Sequence, residues 1–259
     1  MREPKSLMFR INRTVPPVTL RHYYPVAGRL PDRIDSPEAW DRLRDAEPHL
    51  SIADERGEWL KATALEVVKD GQDARLIERA QDVVRFLEHA GVRELFSVAV
   101  GGAGLEYHIK RLYPAVRLTC SEYAPENVRK LKRVFPEADA IVQQDARNSD
   151  WSSLSDRADA CVLVYRLDPH LTDPEWRSFF VRLSAQRVRT VLYIPSRMLT
   201  WLSIVERVRT LLRWRREGAG AVFAGYTRSR PRFQSFWKSL YTPEIAEFGG
   251  LEGFILRLG

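Results

Sequence analysis

The residues best placed to do chemistry lie between Leu95 and Asp145. They are the glycine turn Gly101-Gly102-Ala103-Gly104 after an apolar run at 95–100, Glu122 at the end of a second apolar run, and Asp145 at the end of a third. Glycines between a strand and a helix let the backbone approach a ligand closely, and the free N–H groups of the helix N-terminus face that ligand. A carboxylate at the end of the neighbouring strand can accept two hydrogen bonds from a ribose diol. In a parallel sheet these strand ends share one edge, so the three features together describe a nucleoside pocket. A dinucleotide fingerprint needs a further glycine where Tyr107 stands, counted from Gly102, and this weighs against NAD. Taken singly, the turn is also compatible with a tight connection, Glu122 with a solvated strand-end acid and Asp145 with a helix cap.

The elements that must position these residues follow from hydrophobic periodicity. Leu76, Ile77, Ala80, Val83, Val84, Leu87 and Ala90 fall on one face of a helix over 73–90, and Gly91 sits where a left-handed cap belongs. Strand and helix patterns then alternate: strand 95–100, helix 104–112, strand 116–121, helix 125–134, strands 140–142 and 158–165, helix 174–184 and strand 190–194. An amphipathic helix over 198–216 follows. Strands at 221–226 and 253–258 come next, separated by a helix-like stretch bearing Phe and Trp. The fold class is α/β, with a doubly wound, mostly parallel seven-stranded sheet and an antiparallel edge strand formed by the C-terminal segment. Residues 1–70 read as an N-terminal arm and helical extension, with His22-Tyr23-Tyr24-Pro25, a turn near Gly28 and two short helical patterns. The first of these patterns opens at Ser36-Pro37-Glu38-Ala39, a cap followed by proline and acid. Residues 71–259 read as the α/β domain, with a basic C-terminal segment over 198–259.

Glu122-Tyr123-Ala124-Pro125-Glu126-Asn127 adds a helix-opening proline to the strand-end acid. With the glycine turn, this order resembles that of class I, Rossmann-like S-adenosylmethionine-dependent methyltransferases. The resemblance extends through Ile141-Val142-Gln143-Gln144-Asp145-Ala146 and the segment ADACVLVYRLDPHLTD, covering about residues 75–195. It implies S-adenosyl-L-methionine as cofactor, with Gly101, Gly102 and Gly104 near its methionine part. It also implies that Glu122, with Tyr123 beside it, holds the ribose hydroxyls, that Asp145 faces the adenine amine, and that the Ala146 backbone meets the ring. Tyr165 and Arg166 would lie beside the transferred methyl and the acceptor. The loop after the fourth strand faces the methyl in this family, which makes His170 the candidate base and Tyr165 its companion. A near-neutral imidazole suits that duty, and a histidine that only packs the loop is the alternative.

The sequence departs from the family at one place. Many members carry an acid on the first strand just before the glycines, where this chain has Val98, Ala99 and Val100. Glu106 is the candidate substitute, and the departure leaves open a fold that has lost its cofactor. The Asn/Asp-Pro-Pro-aromatic tetrapeptide of nucleobase amine methylases is missing, which disfavours such an acceptor. His108 reads as structural and His22 as part of a packed arm. Asp168 and Asp173 read as turn or helix caps, and no metal is expected.

Seven tryptophans and the apolar fraction allow a sizeable core. Cys120 and Cys161 lie in expected strands and read as packing thiols. No apolar run is long enough to cross a bilayer and the N-terminal residues lack a signal-peptide core, so a cytoplasmic location is expected. The net charge is +7, and residues 186–259 alone hold 13 Lys and Arg against 5 Glu, or +8. Such a field favours an anionic partner or simply a solvated basic face. Within it, helix 198–216 can lie on anionic lipid, or cover the sheet with its charges in water. The segment YTRSRPRFQSFW can grip a phosphorylated substrate or single-stranded RNA, or pack as an edge hairpin. The expected function is methyl transfer to an oxygen or nitrogen of a small or lipid-linked, anionic acceptor, with nucleic acid less favoured and peripheral membrane contact open. A catalytically degenerate binding or scaffold module is the alternative, and an NAD(P)-dependent oxidoreductase is third.

Overall fold

The computed structural model describes residues 15–26, 36, 52–63, 66–68, 71–73, 75–196, 198–217 and 220–259. Apart from Ser36, the helix expected at Ser36-Pro37-Glu38-Ala39 lies outside the described residues, as does the turn near Gly28. In chain order the first elements are β1 (Thr19–Val26), α1 (Arg56–Thr63) and a short hairpin of β2 (Glu66–Val68) and β3 (Gly71–Asp73). The alternating part follows as α2 (Leu76–His89), β4 (Glu94–Val98), α3 (Gly104–Leu112), β5 (Arg117–Glu122), α4 (Pro125–Val134), β6 (Ala140–Gln143) and β7 (Ala160–Tyr165). It continues with α5 (Asp173–Ala185) and β8 (Thr190–Ile194). The tail comprises α6 (Trp201–Glu217), β9 (Gly220–Arg228), α7 (Arg230–Trp237), β10 (Tyr241–Phe248) and β11 (Leu251–Leu258).

Seven strands form the main sheet in the order β10-β11-β8-β7-β4-β5-β6. Five of them, β4 to β8, pair in parallel, and β11 runs antiparallel to both β8 and β10. The sheet is thus mostly parallel, with its antiparallel strand held between β8 and the outermost β10. Every residue of β8 and all but the last of β7 are buried, as continuous apolar strands of a two-sided parallel sheet must be. Helix α2 buries Leu76, Ala80, Val83, Val84 and Leu87, while Ile77, expected on the same face, is 43% exposed. Gly91 takes the left-handed conformation expected of it, with φ +68°.

Two apolar cores flank the sheet. One gathers α2, α3 and α4 around Leu95, Leu118 and Trp59. The other is aromatic, with Trp176, Phe180, Tyr193, Trp237 and Phe254 in mutual contact; the Trp237 ring centroid lies 5.2 Å from Phe180 and 5.1 Å from Phe254. Burial of such rings gives this side most of its cohesion.

The tail differs from its sequence reading. Strand β9 does not join the main sheet but pairs antiparallel with β1, from Thr19 opposite Arg228 to Val26 opposite Gly220. The sheet position is taken instead by β10, whose Pro243, Glu244 and Glu247 disguise it as a non-strand. These are residues an edge strand tolerates, because one side has no partner to satisfy.

Strand β9 fastens the loop that follows β7. The Arg228 guanidinium, fully buried, donates through Nε to Asp173 Oδ1 (2.6 Å), through Nη1 to the Asp168 carbonyl (2.6 Å) and through Nη2 to the Leu171 carbonyl. Tyr226 N–H donates to the Pro169 carbonyl at 2.9 Å. This approach requires Gly225, whose φ is +116° and whose missing Cβ would stand 2.1 Å from the Pro169 oxygen. Gly225→Ala is therefore expected to lower the unfolding free energy by more than about 1 kcal/mol, read from urea denaturation; unchanged stability would show that the loop is not held in this way. Burial alone would raise the Asp173 pKa, but hydrogen bonds from Arg228, Arg232 and Thr19 outweigh it and hold the carboxyl below its ordinary value. The stability it contributes is complete above the unfolded value of about 4 and is lost as pH falls through the lowered folded value. Asp173→Asn should accordingly flatten the acid limb of the stability profile while lowering stability at neutral pH.

Candidate functional site

The site edge is created by the pairing of β4 with its two neighbours. Ser97 lies opposite Cys120 on one side and Val98 opposite Val164 on the other, so β4, β5 and β7 end together. Beyond Val98 the chain turns sharply, with Ala99 at φ 54°, Gly101 at 55° and Ala103 at 55°. Two alanines in the left-handed region cost energy, and such strain persists only where neighbours fix the backbone. Here the end of β5 does so. Ala99 N–H donates to Ser121 Oγ (3.3 Å), Val100 N–H to the Ser121 carbonyl (3.0 Å) and Gly101 N–H to Glu122 Oε2 (3.0 Å).

The glycines divide in role. A Cβ on Gly101 or Gly102 would meet nothing within 4 Å, so both border open space, and the positive φ of Gly101 favours glycine there. Gly104 instead packs inward, where a Cβ would lie 3.1 Å from Leu76 Cδ2. The Gly102 carbonyl accepts from Trp59 Nε1 at 2.9 Å, which fixes the turn from α1. Sequence reasoning did not find Trp59, and an aromatic in a short helical pattern offered no signal.

Glu122 is 4% exposed, so it is no solvated strand-end acid. Its second oxygen accepts from Asn127 Nδ2 at 3.4 Å. Asp145 caps a short 3-10 turn at Ala146–Asn148, accepting Arg147 N–H at 2.8 Å. The Arg147 guanidinium folds back onto Asp145, with Nε 2.9 and 3.0 Å from the two oxygens. It also donates to Tyr123 Oη at 2.8 Å and lies 5.1 Å from the centre of that ring. Tyr123, Asp145 and Arg147 thus form one unit, of which Arg147 was not anticipated. Ala146 is buried and its carbonyl accepts from Arg182 at 3.3 Å. Glu106, considered as the substitute acid, is 1% exposed and accepts from Ser97 Oγ at 2.6 Å beneath the turn.

At the end of β7, Tyr165 Oη accepts from Arg79 Nη1 at 2.8 Å, and the buried Arg79 also donates to the carbonyls of Phe248 (3.3 Å) and Gly249 (3.0 Å). Arg166 has φ 55° and bonds through its N–H to the Ile194 carbonyl at 2.9 Å. Asp168 is 1% exposed; burial raises its pKa against hydrogen bonds from the Ser196 N–H (2.7 Å) and Oγ (2.6 Å). His170 stands exposed on this tethered loop, its N–H on the Leu167 carbonyl at 3.1 Å. Thr172 and Glu175 form a reciprocal cap for α5. His108 is buried, with Nε2 2.8 Å from the Thr63 carbonyl, and His22 Nδ1 is 2.6 Å from Arg207 Nη2. Among the described residues no group of three or more His, Cys, Asp and Glu is placed to hold a metal ion.

No family model matches the sequence, and no curated protein matches it significantly. Solved structures do match in fold. Human N-acetylserotonin methyltransferase, solved with S-adenosylmethionine, gives a TM-score of 0.52 at 16% identity over 85% of this chain and 66% of that one. TnmH gives 0.55 at 16% identity over 85% of this chain and 61% of its own. Magnesium protoporphyrin IX methyltransferase from Synechocystis PCC 6803, solved with S-adenosylhomocysteine, gives 0.54 at 11% identity over 84% of this chain and 97% of that one. The chain thus spans slightly less than two thirds of the human enzyme and of TnmH, and nearly all of the cyanobacterial enzyme. With its sheet order and these likenesses, the chain has the fold of the class I S-adenosylmethionine-dependent methyltransferases.

Proposed function

We propose that this protein is a cytoplasmic S-adenosylmethionine-dependent methyltransferase acting on an oxygen or nitrogen of a small or lipid-linked, anionic acceptor. The observation that carries the reading is the closure of the glycine turn by Glu122. The 3.0 Å bond from Gly101 N–H places a buried carboxylate beside the open faces of Gly101 and Gly102. A strand-end acid in that position suits a ribose diol. The sheet order supports it too: counted along the sheet strands from β4, the order is third, second, first, fourth, fifth, seventh, sixth. A dinucleotide sheet ends instead in a sixth parallel strand beside the fifth, so the oxidoreductase reading is disfavoured. The structural neighbours crystallised with S-adenosylmethionine or its demethylated product point the same way.

In this reading Gly101, Gly102 and Gly104 shape the turn around the methionine part, Glu122 holds the ribose, and Tyr123, Asp145 and the Ala146 backbone border the adenine. When bound, S-adenosylmethionine supplies an electrophilic methyl group on a sulfonium. The chain's own residues align the acceptor and manage its proton. Tyr165, its oxygen accepting from Arg79, stands at the end of β7 where an acceptor would meet the methyl group. Arg166 follows it in the chain and brings a cation to this end of the sheet, and His170 takes the proton of a hydroxyl acceptor. The excess positive charge of residues 186–259 favours an anionic group on that acceptor.

One observation favours a second reading, a binding module on the same fold. Ala99 and Val100 replace the first-strand acid, and Glu106 is turned toward Ser97 rather than the turn's open side. Titration calorimetry separates the two. S-adenosylhomocysteine should bind the full chain, and Glu122→Ala should weaken binding by about 1 to 3 kcal/mol. No heat from well-folded protein at millimolar S-adenosylmethionine would reject the enzyme reading.

A further inference from the structure

Helix α6 wears its apolar side outward. Trp201, Leu202, Val205, Val208 and Leu212 are 47%, 49%, 47%, 52% and 53% exposed. Four of them, Trp201, Val205, Val208 and Leu212, recur at helical spacing and share one face. Among the described side chains, Arg207 ties the helix to the rest of the protein through polar contacts. It reaches His22 Nδ1 at 2.6 Å and Thr227 Oγ1 at 3.4 Å, while Thr200 and Ser203 cap the helix's own first turn with bonds of 2.8 and 3.0 Å. A helix covering a sheet has the opposite arrangement, with its apolar stripe inward. The stripe of Trp201, Val205, Val208 and Leu212 faces away from the protein instead.

The stripe has a charged border. Arg209, Arg213 and Arg216 are exposed and, with Leu212, line one surface depression. The helix carries five arginines against Glu206 and Glu217, within a segment of net charge +8. At about 1.5 Å per residue it is only about 26 Å long, and no described helix is long and apolar enough to cross a membrane. A basic helix with one apolar face and a tryptophan near its end is suited to lie in the plane of a bilayer surface. A second copy of this chain is a poorer occupant. Two-fold antiparallel pairing of the stripes would set the row Arg209, Arg213 and Arg216 against the same row of the partner, like charge against like.

We propose that α6 docks this protein on an anionic lipid surface. Trp201, Val205, Val208 and Leu212 enter the boundary between headgroups and acyl chains, and Arg209, Arg213 and Arg216 meet the lipid phosphates. The start of the helix is tied to the end of β9, the strand that clamps the loop after β7, because Leu199 N–H donates to the Arg228 carbonyl at 2.7 Å. The docking surface does not depend on the methyl-transfer reading.

Vesicle flotation of the full chain tests it, using equal parts of phosphatidylglycerol and phosphatidylcholine against phosphatidylcholine alone. The expected result is binding to the anionic vesicles, weakened by salt and at least about tenfold tighter than to neutral ones. The double substitution Val208→Glu, Leu212→Glu should reduce that binding about tenfold or more with an unchanged circular dichroism spectrum and melting temperature, since both side chains are exposed. Three results would overturn the proposal: no flotation of folded protein with anionic vesicles, flotation unaffected by the double substitution, or a dimer that the same substitution converts to monomer while vesicle binding is absent.

Discussion

The register of β4 between β5 and β7 is the constraint on which the rest of the site depends. Its five residues deliver the chain to a turn containing two left-handed alanines, within which Ala103 N–H bonds the Val100 carbonyl at 2.9 Å. The end of β5 stabilises it through Ser121 and Glu122. Because side chains alternate along a strand, a slip of one residue would turn Glu122 to the other face and remove the acceptor of Gly101 N–H. The carboxylate completes the local fold, and the proposed function gives it a second duty toward a ligand's hydroxyls. A buried acid in this position is costly unless it is hydrogen-bonded. Gly101 and Asn127 supply that compensation within the protein itself.

A second constraint acts on the opposite side of the edge. The loop after β7 leaves the sheet and is held by several bonds, of which those from Arg228 reach the most points along it. A buried guanidinium is expensive to desolvate, and the cost is offset only when its donors find acceptors. Three of them do, at Asp173, Asp168 and Leu171. Strand β9 can supply this clamp because it lies outside the main sheet, paired with β1, and so brings residues from near the N-terminus and from the basic tail to one place. The loop is fixed by its polar atoms while His170 remains at the surface. In the proposed function this lets His170 meet an acceptor without being displaced by it.

The alternation of strands and helices from 76 to 194 was legible because each element carries its own periodic signal, and the strand-end positions of Glu122 and Asp145 followed from it. What could not be read were contacts between residues far apart in sequence. Trp59 reaches Gly102, Arg79 reaches Tyr165 and Gly249, and Arg228 reaches Asp168, and no local pattern announces any of them. Strand β10 was hidden by its proline and acids, and β9 carried a strand pattern that could not say which sheet it would join. The amphipathic pattern of α6 was plain, but periodicity gives the existence of an apolar face and not its direction. Arg147 carries no local signal, because its contacts arise only once Tyr123 and Asp145 stand beside it.

The central claim is that the edge formed by β4, β5 and β6 receives S-adenosylmethionine. Hydrogen exchange with and without saturating S-adenosylhomocysteine tests this most directly. The account predicts new protection at 99–104, 122–127 and 143–147, with little change in β9 and β10. Unchanged exchange at the glycine turn, or protection confined to other parts of the chain, would contradict it.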